Sequence, residues 1–269
     1  HNGGDVHFGK DGYLYISAAA LHVWQRNRDV LLQLWKSEFV AQLLEPPFVI
    51  FALGLGLGKF VELENGQEYV AFLTPGLLAM FPMFTAVFEC AWNSYLRLDQ
   101  GTYRAILATP ASIDDVITGE ILWGATRSAV NASYILLVAV VLTPWLGMVE
   151  SPWAILVVPV AVIPGIFFSA ISILFASVAK AMSQFGYFFN LVINPMFWFG
   201  GAFFPTDSLP DWARVVAWFI PLTHVTDLYR GFVTGELEWS LVGDVAWLVV
   251  ATAVTYLAAL WSMRRRLTE

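Results

Sequence analysis

The sequence predicts an all-α polytopic membrane protein. It should hold six transmembrane helices, an N-terminal amphipathic interface helix, and an extracellular re-entrant helix pair between spans five and six. Three observations carry that prediction. Of 269 residues, 58% are hydrophobic and only 13% charged, where a soluble domain carries roughly 25% charged residues. The mean hydropathy is +0.65. Six separate stretches are apolar over about 20 residues, the helix length that crosses a bilayer. The net charge of −7 excludes the basic face a nucleic-acid binder needs.

Residues 1–12, HNGGDVHFGKDG, are polar and glycine-rich and read as a disordered tail without the pattern of a removable signal peptide. Residues 13–35 read as an amphipathic interface helix. Leu14, Ala18, Leu21 and Trp24 recur at helical spacing, and His22, Gln25, Arg26 and Arg28 turn toward headgroups. Residues 36–269 form the transmembrane domain, with spans at about 39–58, 69–92, 116–142, 153–178, 185–204 and 245–263. Between the last two spans, 205–240 holds two shorter apolar pieces, 212–219 and 221–233, punctuated by Pro205, Pro210 and Pro221. They read as a re-entrant or interfacial helix pair, with an ordinary outer loop as the alternative.

The positive-inside rule orients the chain. With the N-terminus inside, Lys10, Arg26, Arg28, Lys36, Arg97, Arg104, Lys180, Arg264, Arg265 and Arg266 are cytoplasmic. Only Lys59, Arg214 and Arg230 lie outside, among acidic loops that carry Glu62, Glu64, Glu68 and Glu150. Both termini are therefore expected in the cytoplasm, and the chain in the cell (inner) membrane.

Polar residues inside spans usually face a bundle interior or a wet cavity. Glu45, Glu89, Glu120, Arg127, Asn131, Asn190 and Asn194 are such residues. They either form structural pairs or line a translocation path. Depth along the two helices pairs Glu89 with Arg127, with Glu120 as the rival partner.

The connection 95–120, YLRLDQGTYRAILATPASIDDVITGE, has a readable build. Gly101 breaks the outgoing helix, Thr102 caps a short helix, and Thr109-Pro110 stops it. Ser112 with Asp115 is a capping-box pattern opening span three. The short helix is either a handle for a soluble partner or a plain interfacial loop.

Other chemistry is sparse. Gly54, Gly56, Gly58 and Lys59 imitate a phosphate-binding loop, but Leu53 replaces its first glycine and Phe60 its Ser/Thr. Gly54 and Gly58 instead suit close helix packing. The single Cys90 allows no internal disulfide, and His1, His7, His22 and His224 show no metal-ligand spacing. His224 with Asp227 is a His/acid pair at helical spacing, thin support for a lipid-modifying membrane enzyme.

The ordered set Arg97, Asp99, Gly101, Thr102, Leu107, Thr109, Pro110, Ile117, Gly119 and Glu120 resembles the inner-loop signature of type-2 ABC exporter permeases. The phrases GGAFFPTDSLP (200–210) and PLTHVTDLYRG (221–231) are similar to the same family's pattern after span five. EPPFVIFALGLGLG, YVAFLTPG and PLTHVTDLYR bring it nearest to the nodulation-factor, or lipo-oligosaccharide, exporter branch (NodJ-like). The resemblance implies a permease dimer, with a second copy of itself, served by two copies of a cytosolic ABC ATPase subunit. ATP and Mg would sit on that partner, with no cofactor, metal or catalytic residue on this chain. A coupling helix at about 102–109 would engage the ATPase through Gly101, Thr102, Tyr103, Arg104, Ile106, Leu107, Thr109 and Pro110. The re-entrant region at about 205–233 would include Phe204, Pro205, Pro210, Trp212, Pro221, His224, Asp227 and Arg230. The implied cargo is an amphiphile, a lipo-oligosaccharide or lipid-linked saccharide, with drugs or other lipids as the alternative.

Overall fold

The structure is a computed structural model that describes residues 13–61, 68–109 and 111–268. The expected tail, Glu62, Glu64 and Pro110 lie outside these residues. Among the described residues all regular structure is helical. The elements are α1 (Tyr13–Val49), α2 (Tyr69–Asp99), α3 (Thr102–Leu107), α4 (Ile113–Leu146), α5 (Val157–Val160), α6 (Val162–Val178), α7 (Gln184–Phe188), α8 (Asn194–Phe199), α9 (Asp211–Trp218), α10 (Pro221–Thr234) and α11 (Ser240–Thr268).

Four helical stretches are long and apolar enough to cross a membrane: Tyr69–Asp99, Ile113–Leu146, Pro152–Val178 and Ser240–Thr268. They match the expected spans two, three, four and six. Their surroundings differ. The apolar window of α2 is 89% buried, and that of α11 only 6%. Helix α2 is therefore the core, packed on α4, α6 and α10, while α11 lies against α6 and α10 at the periphery.

The other two expected spans take other forms. Residues 39–58 continue α1 through the shorter apolar piece Leu44–Gly56, which widens to a π-helix at Ile50–Gly56. Pro46 and Pro47 lie just upstream and lack the N–H groups that would keep the tighter ladder. Residues 184–199 form one run with a π-turn at Phe189–Ile193. It ends at Gly200, before Gly201 in the left-handed region at φ 70°. That run covers about 24 Å at 1.5 Å per residue, short of a bilayer core of about 30 Å.

Helix α1 departs from the sequence reading in two ways. The helix runs unbroken from 13–35 into the first apolar span, because no glycine or proline occurs between 13 and 45. Its buried face also differs. Ala20, Val23 and Asn27 point inward, while Leu21 is half-exposed. The cause lies on α4: a Cβ at Gly119 would sit 2.6 Å from Ala20 O and 2.7 Å from Val23 Cβ. A bare glycine lets α1 settle there, and the docking site chooses the face.

Candidate functional site

The connection between α2 and α4 is built from a turn and a cap. Gly101 sits at φ 71°, ψ 11° and is the N-cap of α3, a left-handed conformation that favours glycine. Thr102 is consequently the first helical residue, and not the cap expected from sequence. The capping box that opens α4 is present: Asp115 N donates to Ser112 Oγ at 3.1 Å, and Ser112 N donates to Asp115 Oδ2 at 3.1 Å. Thr109 Oγ1 donates to Ile106 O at 2.6 Å and closes α3.

Only part of α3 faces outward. Arg104, Ala105, Ala108 and Thr109 are exposed. Ile106 and Leu107 pack partly against the cluster of Val116 and Ile117. Tyr103 is 1% exposed, so its ring belongs to this chain's own core and not to a surface for a partner. Burial pushes its phenol pKa up, and nearby Glu120 adds to the rise.

Behind α3 lies a buried charge network. Glu120 on α4 accepts from Arg26 Nη2 at 2.8 Å, from Asn27 Nδ2 at 3.0 Å and, at short range, from Arg97. Arg97 Nη2 donates to Asn27 Oδ1 at 3.1 Å. One carboxylate thus ties α1, α2 and α4 together and faces two guanidinium groups. Sequence reasoning put Arg26 among the headgroups and passed over Asn27. The network joins residues more than ninety apart in the chain, which spacing cannot reveal.

One step deeper, Arg127 Nε lies 3.5 Å from Glu89 Oε2. Glu89 Oε1 accepts from Trp123 Nε1 at 2.8 Å and from Asn93 Nδ2 at 3.1 Å. Trp24 stands edge-on to Trp123 at 6.2 Å and donates to Thr126 Oγ1 at 2.9 Å. The depth argument therefore gives the observed pair, and Glu120 serves other cations. Asn131 is buried on α4, with Oδ1 unbonded among the described residues. The remaining polar residues stand apart from this group. Glu45 and Asn190 are exposed, and Asn194 Nδ2 donates to Asn190 Oδ1 at 3.1 Å on the same outer face.

The opposite end holds α9 and α10. Pro210 precedes α9, whose Ala213 and Ala217 turn inward while Trp212 is exposed. Phe204 and Pro205 are half-buried in the preceding bend. Pro221 opens α10, which is largely buried. Arg230 pairs with Asp227 at 3.3 Å, donates to Gly201 O at 3.0 Å and lies 4.5 Å over the Phe72 ring.

His224 does not pair with Asp227 as helical spacing suggested. Its Nδ1 is 2.7 Å from Asp244 Oδ1 on α11, its Nε2 is 2.8 Å from Trp218 O, and Trp247 stacks at 4.4 Å. A carbonyl only accepts, so Nε2 carries a proton. A second proton on Nδ1 lets the ring donate to Asp244 as well. Burial disfavours the imidazolium, but Asp244 and the Trp218 carbonyl outweigh it, and the pKa is raised. Both ring nitrogens are engaged by Asp244 and Trp218 and not by Asp227, so the His224–Asp227 pair offered for a lipid-modifying enzyme does not form. No three His, Cys, Asp or Glu side chains converge among the described residues.

A family model described as ABC-2 type transporter matches residues 20–233. Nodulation protein J of Rhizobium leguminosarum bv. viciae is 32% identical over 254 residues, covering 92% of this chain and 94% of that protein. Nodulation protein J of Bradyrhizobium diazoefficiens is 29% identical over 262 residues, covering 96% and 98%. The inner membrane transport permease YadH of Escherichia coli is 21% identical over 244 residues, covering 91% and 93%.

Proposed function

The chain belongs to the ABC-2 type transporter family, and from that premise we propose that it is the permease subunit of an ATP-driven exporter. The cargo is an amphiphile, a lipo-oligosaccharide or lipid-linked saccharide, moved outward from the cytoplasm or inner leaflet. The similarity to nodulation protein J supports that substrate class. ATP and Mg bind on a separate cytosolic ATPase, two copies of which serve a permease dimer. In this reading the end of α1 with Leu44–Gly56, and 184–199 continued by the bend at 200–204, join the four long apolar stretches to make six crossings, both termini are cytoplasmic, and α9 with α10 forms the outer re-entrant pair. The exposed Glu45 and Asn190, with the half-buried Asn194, then face a second copy or a wet path between copies.

The observation that carries the reading is the build of α3. Its outer face presents Arg104, Ala105, Ala108 and Thr109, and its inner face is anchored by Tyr103 and Leu107 in the cluster that holds α4. A push on α3 therefore reaches α4 and Glu120 through packed side chains. The test is Ala105→Glu with Ala108→Glu on that face. The variant should keep its thermal unfolding midpoint but lose most ATPase capture and substrate-stimulated hydrolysis. Full transport by the variant overturns the coupling assignment. Stimulation by drugs but never by glycolipids overturns the cargo.

A further inference from the structure

At the α3 end of the bundle a cavity of about 300 Å³ opens between the end of α2, Gly101 and α3, the loop after α6, and the end of α11. Its charged lining is uneven: Arg104, Lys180 and Arg266 against the single carboxylate of Asp99. These cations come from three separate elements. Among the described residues, Arg104 and Lys180 make no ion pair or side-chain hydrogen bond. Arg266 Nη2 donates to Ala179 O at 3.3 Å, which holds it beside Lys180. The neighbouring arginines are engaged elsewhere. Arg264 donates through Nε to Asp114 at 2.6 Å, and Arg265 lies 5.0 Å over the Trp261 ring. Three cations converging on a polar hollow match the oxyanions of a phosphate group.

The outer face of α11 fixes the depth. Val250, Val254 and Leu257 are each 63% exposed, Trp261 is 61% exposed, and arginines occupy 264–266. Aliphatic, then aromatic, then basic is the order a helix shows on passing from acyl chains into headgroups. The cavity therefore lies at headgroup level beside a helix of whose apolar window only 6% is buried. A lipid can approach there from the side, whereas a docked protein carboxylate would have to come from below.

We propose that this cavity binds the phosphate of an anionic inner-leaflet lipid through Arg104, Lys180 and Arg266. Its inner-leaflet side rests on the orientation given under the proposed function. An occupied site ties the α2–α3 corner to the end of α11, so headgroup charge would bear on the coupling helix.

The test uses the full chain in phosphatidylcholine nanodiscs with a small fraction of spin-labelled phosphatidylglycerol or spin-labelled phosphatidylcholine. The readout is the motionally restricted fraction, which needs neither the ATPase nor transport, so failure of the exporter reading shows separately. The wild type should restrict phosphatidylglycerol over phosphatidylcholine. Lys180→Gln with Arg266→Gln should weaken that preference about tenfold or more, and Lys180→Arg should keep it. Should the double variant misfold, Lys180→Gln alone carries the test, since among the described residues Lys180 bonds nothing through its side chain. Displacement of the lipid by millimolar inorganic phosphate overturns the lipid source in favour of a soluble anion. Equal restriction of both lipids, or a preference unchanged by the double substitution, overturns the site. An unchanged preference with lost ATPase capture makes the same cations a protein-docking surface.

Discussion

Arg127 and Glu89 have side chains only 7% and 22% exposed, so the energetic question at the residue scale is what happens when one of them goes. Losing one member of a buried pair costs more than losing both, because it strands a desolvated charge. Glu89→Ala should therefore destabilise the bundle by about 3 kcal/mol, and Glu89→Leu with Arg127→Leu by clearly less. Thermal unfolding in detergent decides it, and a double variant as weak as the single removes the pair. This contact was legible because two antiparallel helices and the lean of side chains toward each N-terminus fix depth from sequence alone. The Glu120 network was not, because Arg26 and Asn27 enter from α1, whose rotation depends on Gly119. His224 yields a second prediction. Its folded pKa lies above the ordinary value of about 6.5. Protonated His224 therefore stabilises the fold fully below that ordinary value, and the contribution fades as pH rises through the higher folded pKa. The gap in unfolding temperature between wild type and His224→Gln should be widest at mildly acidic pH and shrink toward alkaline pH. A gap that widens with pH would mean that the neutral ring makes these contacts.

Two glycines separate backbone effects from packing effects at the scale of elements. A Cβ on Gly101 meets nothing within 4 Å, so Gly101→Ala should cost only the left-handed conformation, about 1 kcal/mol. A Cβ on Gly76 would lie 2.6 Å from Ala202 Cα, forcing core helix α2 away from the bend at 200–202. Alanine's better helix propensity returns about 1 kcal/mol, against an overpacking cost of about 1–3 kcal/mol. Gly76→Ala should thus be neutral to destabilising by about 2 kcal/mol, and it should loosen the outer bend. The difference shows in protease sensitivity near residue 205, which Gly101→Ala leaves unchanged. Element boundaries were legible where local chemistry sets them. Ser112 and Asp115 close their box within one turn, and Gly101 ends α2 by its own conformational freedom. Faces were legible only where one partner sufficed. The sequence offered Leu21 and Trp24 as one side of α1, but only Trp24 reaches α4, while Leu21 is half-exposed and Ala20, Val23 and Asn27 take the tight contact.

For the whole molecule, the decisive length is that of α2. Its first residue bonds the outer bend, Tyr69 OH donating to Phe203 O at 3.0 Å, and its last turn meets Gly101 and α3. At 1.5 Å per residue its 31 residues span about 46 Å, more than a bilayer core of about 30 Å. On the proposed topology the α3 corner and the α9–α10 pair then stand on opposite sides of the membrane. Charge adds the direction, since Arg97, Arg104, Lys180 and Arg264–Arg266 gather at the α3 end while the α9–α10 end carries Asp207, Asp211, Glu236 and Glu238. In a Cys90→Ala background, Asp211→Cys and Glu236→Cys should react with an impermeant thiol reagent on intact cells. Thr109→Cys should react only after permeabilisation. Thr109 is the right inner reporter because it is exposed, whereas Asp115 is 4% exposed and held in its capping box. Should Thr109→Cys label from outside while Asp211→Cys does not, the chain is inverted. The coupling face and the inner-leaflet phosphate site then fall together, because both need the α3 end to meet the cytoplasm.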